Sequence, residues 1–270
     1  MTGAARVGRG IALRMDDIGA ATKVWEVYAK RLPLPGPAGD AGNWLFLKYL
    51  PPLALWGPYR ELRPDDWERI LNALTRHSAL LTVAITAAWV TWSGELIPFP
   101  ERFPRQAELV RRGVVAGLLE VANHGLTHCV LAGHVFRPRL FAGNRTSHRE
   151  FWDWVPAEVQ EDHLRRSQEI LRGWLGTEIT TFVPPGNVFG AQTLRAAEKH
   201  GLRYLSCATT PRVDGGVTII GNDGVIAFHD RDLVKGGTTW LERVIKKHVE
   251  QGASFKLVRQ LGESVARRAD

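Results

Sequence analysis

The sequence predicts an α/β domain built from repeated strand–helix units. Apolar, partly β-branched runs alternate with amphipathic stretches along the chain. No internal repeat or low-complexity tract interrupts them. The 270 residues are 44% hydrophobic and include 27 glycines and 15 prolines. That is enough for one sizeable core, and it fits a single domain over residues 1–270 better than two small ones.

Residues 10–15 read as a first strand ending at Asp16-Asp17. Trp44 to Leu55 is apolar but interrupted by Pro51-Pro52, which suits a strand or a loop rim. Pro64-Asp-Asp-Trp-Glu-Arg-Ile-Leu-Asn-Ala-Leu opens with proline and acids before its apolar spacing sets in, a helix start. Leu80 to Trp89 alternates as a strand does. Phe103 to Arg112 reads as helix, and Val114 to Asn123 as a strand leading to His124. Glu158 to Leu175 has helical spacing, with Gly176 as its stop. Thr180 to Val183 is a short strand running into Pro184-Pro185-Gly186-Asn187. Ala191 to His200 is a helix, and 204–208, 217–220 and 225–228 are strands, the last meeting His229-Asp230. A terminal helix spans Trp240 to Gln251.

Four polar clusters each follow a strand-like run: Asp16-Asp17, His124/His128, Pro184 to Asn187, and His229-Asp230. In a barrel of parallel strands the carboxyl ends share one rim, so these distant segments would converge there. Two imidazoles four residues apart and one carboxylate can hold a divalent metal. The second carboxylate remains to handle protons, as metal-assisted hydrolysis requires. Residues 134–156 break the rhythm with arginines and aromatics. Arg137, Arg139 and Arg145 could meet phosphate, and Trp152 or Trp154 a sugar. The bland reading of that segment is a solvated insertion with a few core anchors.

No run of about 18 apolar residues occurs, so no membrane span is expected, and the N-terminus lacks the apolar region of a signal peptide. Cys129 and Cys207 are the two cysteines. That count argues against a disulfide framework and makes a cytoplasmic location the expectation. A net charge of +7 and a pI near 9.7 suggest an acidic partner. The basic residues are scattered, without zinc-finger spacing or a nucleic-acid motif, so no nucleic acid is expected. Ten tryptophans favour a glycan site, because sugar rings stack on indole faces.

Arg14-Met15-Asp16-Asp17-Ile18 and His124-Gly-Leu-Thr-His128 resemble two motifs of the polysaccharide deacetylase superfamily, Thr-Phe-Asp-Asp-Gly and His-Ser/Thr-x-x-His. Phe182-Val-Pro-Pro-Gly186 lies opposite that family's Arg-x-Pro-aromatic-Gly, and Ile226-Ala-Phe-His229 opposite its Leu-x-His. The likeness spans residues 10 to about 260. The family's arginine and aromatic are Phe182 and Pro185 here, which marks a divergent branch. The resemblance implies a distorted (β/α) barrel of about seven strands. It also implies a divalent metal, Zn2+ first and Co2+, Ni2+ or Fe2+ as alternatives, on Asp17, His124 and His128. Asp16 would be the base and His229 the acid that protonates the leaving amine.

The function expected is metal-dependent removal of an N-acyl group, N-acetyl first, from an amino-sugar-containing substrate, a phosphate-bearing conjugate among them. Asn187, Arg145 and Trp152 are the candidate substrate contacts. A catalytically silent glycan-binding relative is the rival, and a metal hydrolase of another acyl or phosphate bond a third reading.

Overall fold

The structure is a computed structural model describing residues 10–24, 27–44, 47–129 and 149–269. Seven parallel strands form the main sheet: β1 (Gly10–Ile18), β2 (Leu81–Ile85), β3 (Leu119–Asn123), β4 (Thr181–Phe182), β5 (Tyr204–Ser206), β6 (Val217–Ile220) and β7 (Val225–His229). They lie in the order β6-β5-β4-β3-β2-β1-β7. Arg212–Asp214 adds antiparallel to β6, and Ser254–Lys256 pairs with the start of β1. The sheet curls into a half-barrel, the expected distorted (β/α)7-type architecture. The longer helices among the described residues are α1 (Pro64–Arg76), α2 (Pro104–Val115), α3 (Ala157–Leu175), α4 (Ala191–Lys199), α5 (Asp230–Gly236), α6 (Thr238–Glu250) and α7 (Val258–Ala269).

β2 and β3 are buried at every position, as strands covered on both faces must be. Strand alternation sorts their side chains. Leu13, Met15, Leu81, Val83, Leu119 and Val121 enter the large core with Trp67, Ile70 and Leu74 of α1 and Val110 of α2. The alternate positions, Ala12, Arg14, Asp16, Thr82, Ala84, Glu120 and Ala122, are small or polar and buried on the other face. Thr82 Oγ1 donates to Glu120 Oε2 at 2.8 Å, and the Thr181 hydroxyl donates to the other Glu120 oxygen. α7 begins on this pair: Val258 N donates to Thr82 Oγ1 at 2.9 Å and Arg259 N to Glu120 Oε2 at 3.2 Å. Burial pushes the Glu120 carboxyl up, against the pull of these bonds.

The structure shifts several expected boundaries. Val114 and Val115 continue α2, and β3 starts only at Leu119. Both apolar valines extend the helix because Gly117, at φ 70°, supplies the turn after it. The run from Leu80 to Trp89 divides, with Ala88–Val90 pairing antiparallel with Leu96–Pro98 in its own small sheet. Between Trp44 and Leu55 a short 3-10 turn, Leu47–Tyr49, precedes a strand over Ala54–Trp56 that pairs with Tyr28–Ala29. The helix expected to be terminal is α6, and α7 follows it.

Gly113 in α2 packs so closely that a Cβ there would meet the Leu119 side chain at 2.6 Å and Leu71 at 2.7 Å. Helix propensity would favour alanine by about 0.5–1 kcal/mol, but overpacking costs about 1–3 kcal/mol. Gly113→Ala should therefore lower stability in chemical denaturation. At the start of α1, Asp66 Oδ2 accepts from Arg63 N at 2.8 Å and Arg60 Nη1 at 2.6 Å. Burial opposes ionisation, but these bonds outweigh it and hold the Asp66 carboxyl below its ordinary value. A lowered carboxyl stabilises above its unfolded pKa, and the gain is lost as pH falls through the folded value. Asp66→Asn should cost about 1 kcal/mol at neutral pH, and its thermal melts should converge with wild type in acid.

Candidate metal centre

Neighbouring residues of a regular strand face opposite ways, yet both carboxylates at the end of β1 take part in the rim. Asp17 has φ 71°, and the β1–β2 ladder shifts register between Met15 and Ile18. This irregularity turns Asp17 towards the loop after β3, while Asp16 stays in line with Arg14. His128 (φ 67°) and Asn187 (φ 59°) are also left-handed. Such backbone gathers at functional sites.

His124 follows β3 directly. Its Nδ1 lies 2.6 Å from the Val183 carbonyl. A carbonyl only accepts, so this nitrogen carries the proton. Nε2 of a neutral His124 is then a lone pair 3.3 Å from Asp17 Oδ1. His128 is arranged alike. Its Nδ1 lies 3.0 Å from Thr22 Oγ1, and its Nε2 lies 3.2 Å from the same Asp17 oxygen, buried and outside hydrogen-bonding geometry. One donor atom from each residue lies within 4.8 Å of the others. Three converging lone pairs repel unless protons or a cation sit among them, and one oxygen with two imidazole nitrogens suits a divalent ion. Burial would raise the Asp17 carboxyl. The charge of His229 and the His124 and His128 rings set against the carboxylate outweigh burial and hold it well below the usual carboxylate range. Tyr59 donates its hydroxyl to Asp17 Oδ2 at 3.2 Å, leaving Oδ1 for the centre.

The loop from His124 to His128 is braced by Glu150. This fully buried carboxylate accepts at Oε1 from Leu126 N (3.1 Å), Thr127 N (2.9 Å) and Thr127 Oγ1 (3.1 Å), and lies 2.7 Å from His163 Nδ1. Gly125 has φ 79°, and a Cβ there would overlap the Glu150 carboxylate. Asp16 is gripped by a two-pronged guanidinium: Arg14 Nε donates to Oδ1 at 2.9 Å and Nη2 to Oδ2 at 2.8 Å. Arg14 Nη1 donates to Ser206 Oγ across the interior at 2.8 Å. Beside them burial pushes the Cys207 thiol up to about 11.

A buried ion cluster supports this layer. Lys23 Nζ meets Glu61 Oε2 at 2.7 Å and Asp230 Oδ2 at 2.5 Å, and Gly19 N also donates to Glu61, at 2.9 Å. Burial opposes the charge on Lys23, but the two carboxylates raise it above the ordinary lysine value. The cluster joins the 19–23 turn, which carries Thr22, to the segment of Tyr59 and to the start of α5.

The other rim residues have partners of their own. Asp230 Oδ2 pairs with Lys23, and Asp232 Oδ2 accepts the backbone N–H of His229 at 3.0 Å. His229 pairs in register with Asp16. The Asn187 carboxamide oxygen accepts from Ala208 N at 3.1 Å, a loop tie. Trp152 is half-buried against Cys129 and Val155, a packing role, whereas Trp154 is 61% exposed. Arg137, Arg139 and Arg145 lie outside the described residues. His163, which no motif singles out, holds Glu150.

A family model for polysaccharide deacetylases matches residues 57–205. The chain belongs to the polysaccharide deacetylase family. This is a family of carbohydrate deacetylases that use a divalent metal. Among solved structures it is similar to a Mycobacterium smegmatis protein assigned to the polysaccharide deacetylases, with TM-score 0.60 and 12% identity, covering 100% of this chain and 94% of that one. It is also similar to a CE4 family pseudoenzyme from Bacillus anthracis, with TM-score 0.51 and 13% identity, covering 96% and 66%. A mutant of that pseudoenzyme with restored activity gives TM-score 0.51, 14% identity and coverage of 96% and 69%. A search of curated proteins finds no match. Among the described residues no helix is long and apolar enough to cross a membrane.

Lys23→Met would strand the buried Asp230 carboxylate and the partly buried Glu61, and breaking a buried pair this way costs about 3–5 kcal/mol. Urea denaturation should show a loss of that size, far above that of a surface lysine such as Lys246.

Proposed function

We propose that this polysaccharide deacetylase relative is an active, metal-dependent amide hydrolase that removes an N-acyl group, N-acetyl first, from an amino-sugar-containing substrate. The observation that carries this reading is the convergence of His124 Nε2 and His128 Nε2 on Asp17 Oδ1, with each outer ring nitrogen already engaged. Outer partners of this kind fix the tautomer and aim a ligand ring. Asp17, His124 and His128 would hold the ion, with Zn2+ the first candidate and Co2+, Ni2+ or Fe2+ alternatives. A divalent cation there supplies Lewis acidity, polarising the acyl carbonyl and making an attacking water more acidic.

The chain's own groups would move the protons. Asp16 takes one from the attacking water. The Arg14 fork aims Asp16 without consuming all its lone pairs. His229 returns a proton to the leaving amine. The rival reading, a silent glycan binder, draws on the pseudoenzyme among the similar structures and on Phe182 in the family's arginine position. Arg14 weakens it, because a guanidinium grips Asp16 here, supplied by β1 where position 182 at the end of β4 has none.

Purified protein loaded with zinc should release acetate from N-acetylated chito-oligosaccharides or N-acetylglucosamine conjugates. Asp16→Asn should keep its metal yet lose about 100-fold or more of the rate. His124→Ala should lose the metal by elemental analysis. An Asp16→Asn protein indistinguishable from wild type would favour the binder, and unchanged metal content in His124→Ala would refute the centre.

A further inference from the structure

Arg149 lies against the segments that brace the candidate centre, and among the described residues its charge is unmet. The residue is 5% exposed, and its guanidinium is laid on Gly186, where any Cβ would overlap it. Gly186 has φ 64°, so both space and backbone reserve the position for glycine. The two walls around Arg149 are those of the centre. Gly186 stands three residues after Val183, whose carbonyl holds His124. The next residue, Glu150, holds Leu126 and Thr127. Among the described residues the Arg149 guanidinium has no hydrogen-bond or ion-pair partner. Glu150 is committed at Oε1 to the 124–128 loop and to His163, and its Oε2 is turned to Gly125. By sequence, residues 130–148 contain no aspartate or glutamate, so the segment leading to Arg149 supplies no carboxylate.

An arginine cannot shed its proton, and a buried charge without a counter-ion destabilises the fold. A binding site can tolerate that when the ligand brings the anion. We propose that Arg149 is an oxyanion subsite next to the metal centre, and that the substrate is an acidic N-acyl amino sugar whose phosphate or carboxylate docks on this guanidinium. The subsite rests on the hydrolase reading for its substrate class but not for its existence. It explains why Gly186 carries no side chain and why a guanidinium is buried at a rim where a neutral glycan would need none.

The test is binding, measured by tryptophan fluorescence on protein with and without zinc. The probes are N-acetylglucosamine, N-acetylglucosamine 6-phosphate and N-acetylmuramic acid. One charge-assisted contact should make an anionic sugar bind about tenfold or more tightly than the neutral one. Which of the two binds better identifies phosphate or carboxylate. Arg149→Gln should abolish the preference and leave zinc content unchanged, while Arg149→Lys should keep part of it. Equal binding of all three sugars by the wild type overturns the proposal, and so does a preference that survives in a folded Arg149→Gln protein. The wild-type comparison decides alone if that variant fails to fold. A preference retained in zinc-free protein, with no acetate released when zinc is present, would leave the subsite standing and the hydrolase reading fallen.

Discussion

Asp17 is held in left-handed backbone at the end of β1, a conformation that costs an L-residue about 1–2 kcal/mol. The geometry of the rim follows from it. A regular strand would send one of two adjacent carboxylates into the outer hydrophobic core, where Met15 already packs. The irregularity frees Asp17 to meet His124 and His128 while Asp16 keeps its place above Arg14. One strand end thereby supplies two carboxylates with different partners: imidazoles for one, a guanidinium for the other. Different partners are what give paired carboxylates different proton chemistry.

The half-barrel beneath is built in polar tiers. Glu120, Thr82 and Thr181 receive the first turn of α7. Arg14, in register with Thr82, spans to Ser206 and up to Asp16. At the mouth lies the Asp–His–His cluster, with Lys23, Glu61 and Asp230 packed beside it. The outer core of leucines, valines and aromatics supplies the burial energy. The interior instead supplies fixed dipoles and charges, each pinned by a neighbour. Such preorganisation is what a site needs if its groups are not to move when charge develops in a reaction.

The sequence made the strand–helix rhythm legible, because helices such as α1, α3 and α4 carry their apolar spacing and stop signals in local runs. It also showed Asp16-Asp17 and His124/His128, since each pair sits in one short motif. It did not show the braces. Lys23, Glu61 and Asp230 are far apart in the chain, and no local pattern predicts that three such charges meet in the interior. Arg14 read as part of a strand, because alternation says which face it takes and not what it reaches. Glu150 left one signal: it is the sole acidic residue between Glu120 and Asp153. An isolated acid in a basic stretch is a fair candidate for a buried brace. The β3 boundary was misread because Val114 and Val115 are β-branched, yet the helix carries them to an exposed end, with Val115 81% accessible.

Cys207 stands beside Arg14 and Asp16 with its thiol pushed up to about 11 by burial. At neutral pH it stays in the S–H form, which is a poor nucleophile and a poor metal ligand. Among the described residues neither cysteine belongs to the Asp17–His124–His128 cluster, so an incoming ion there meets one oxygen and two nitrogens. Air oxidation, which attacks the thiolate, finds little of it at Cys207.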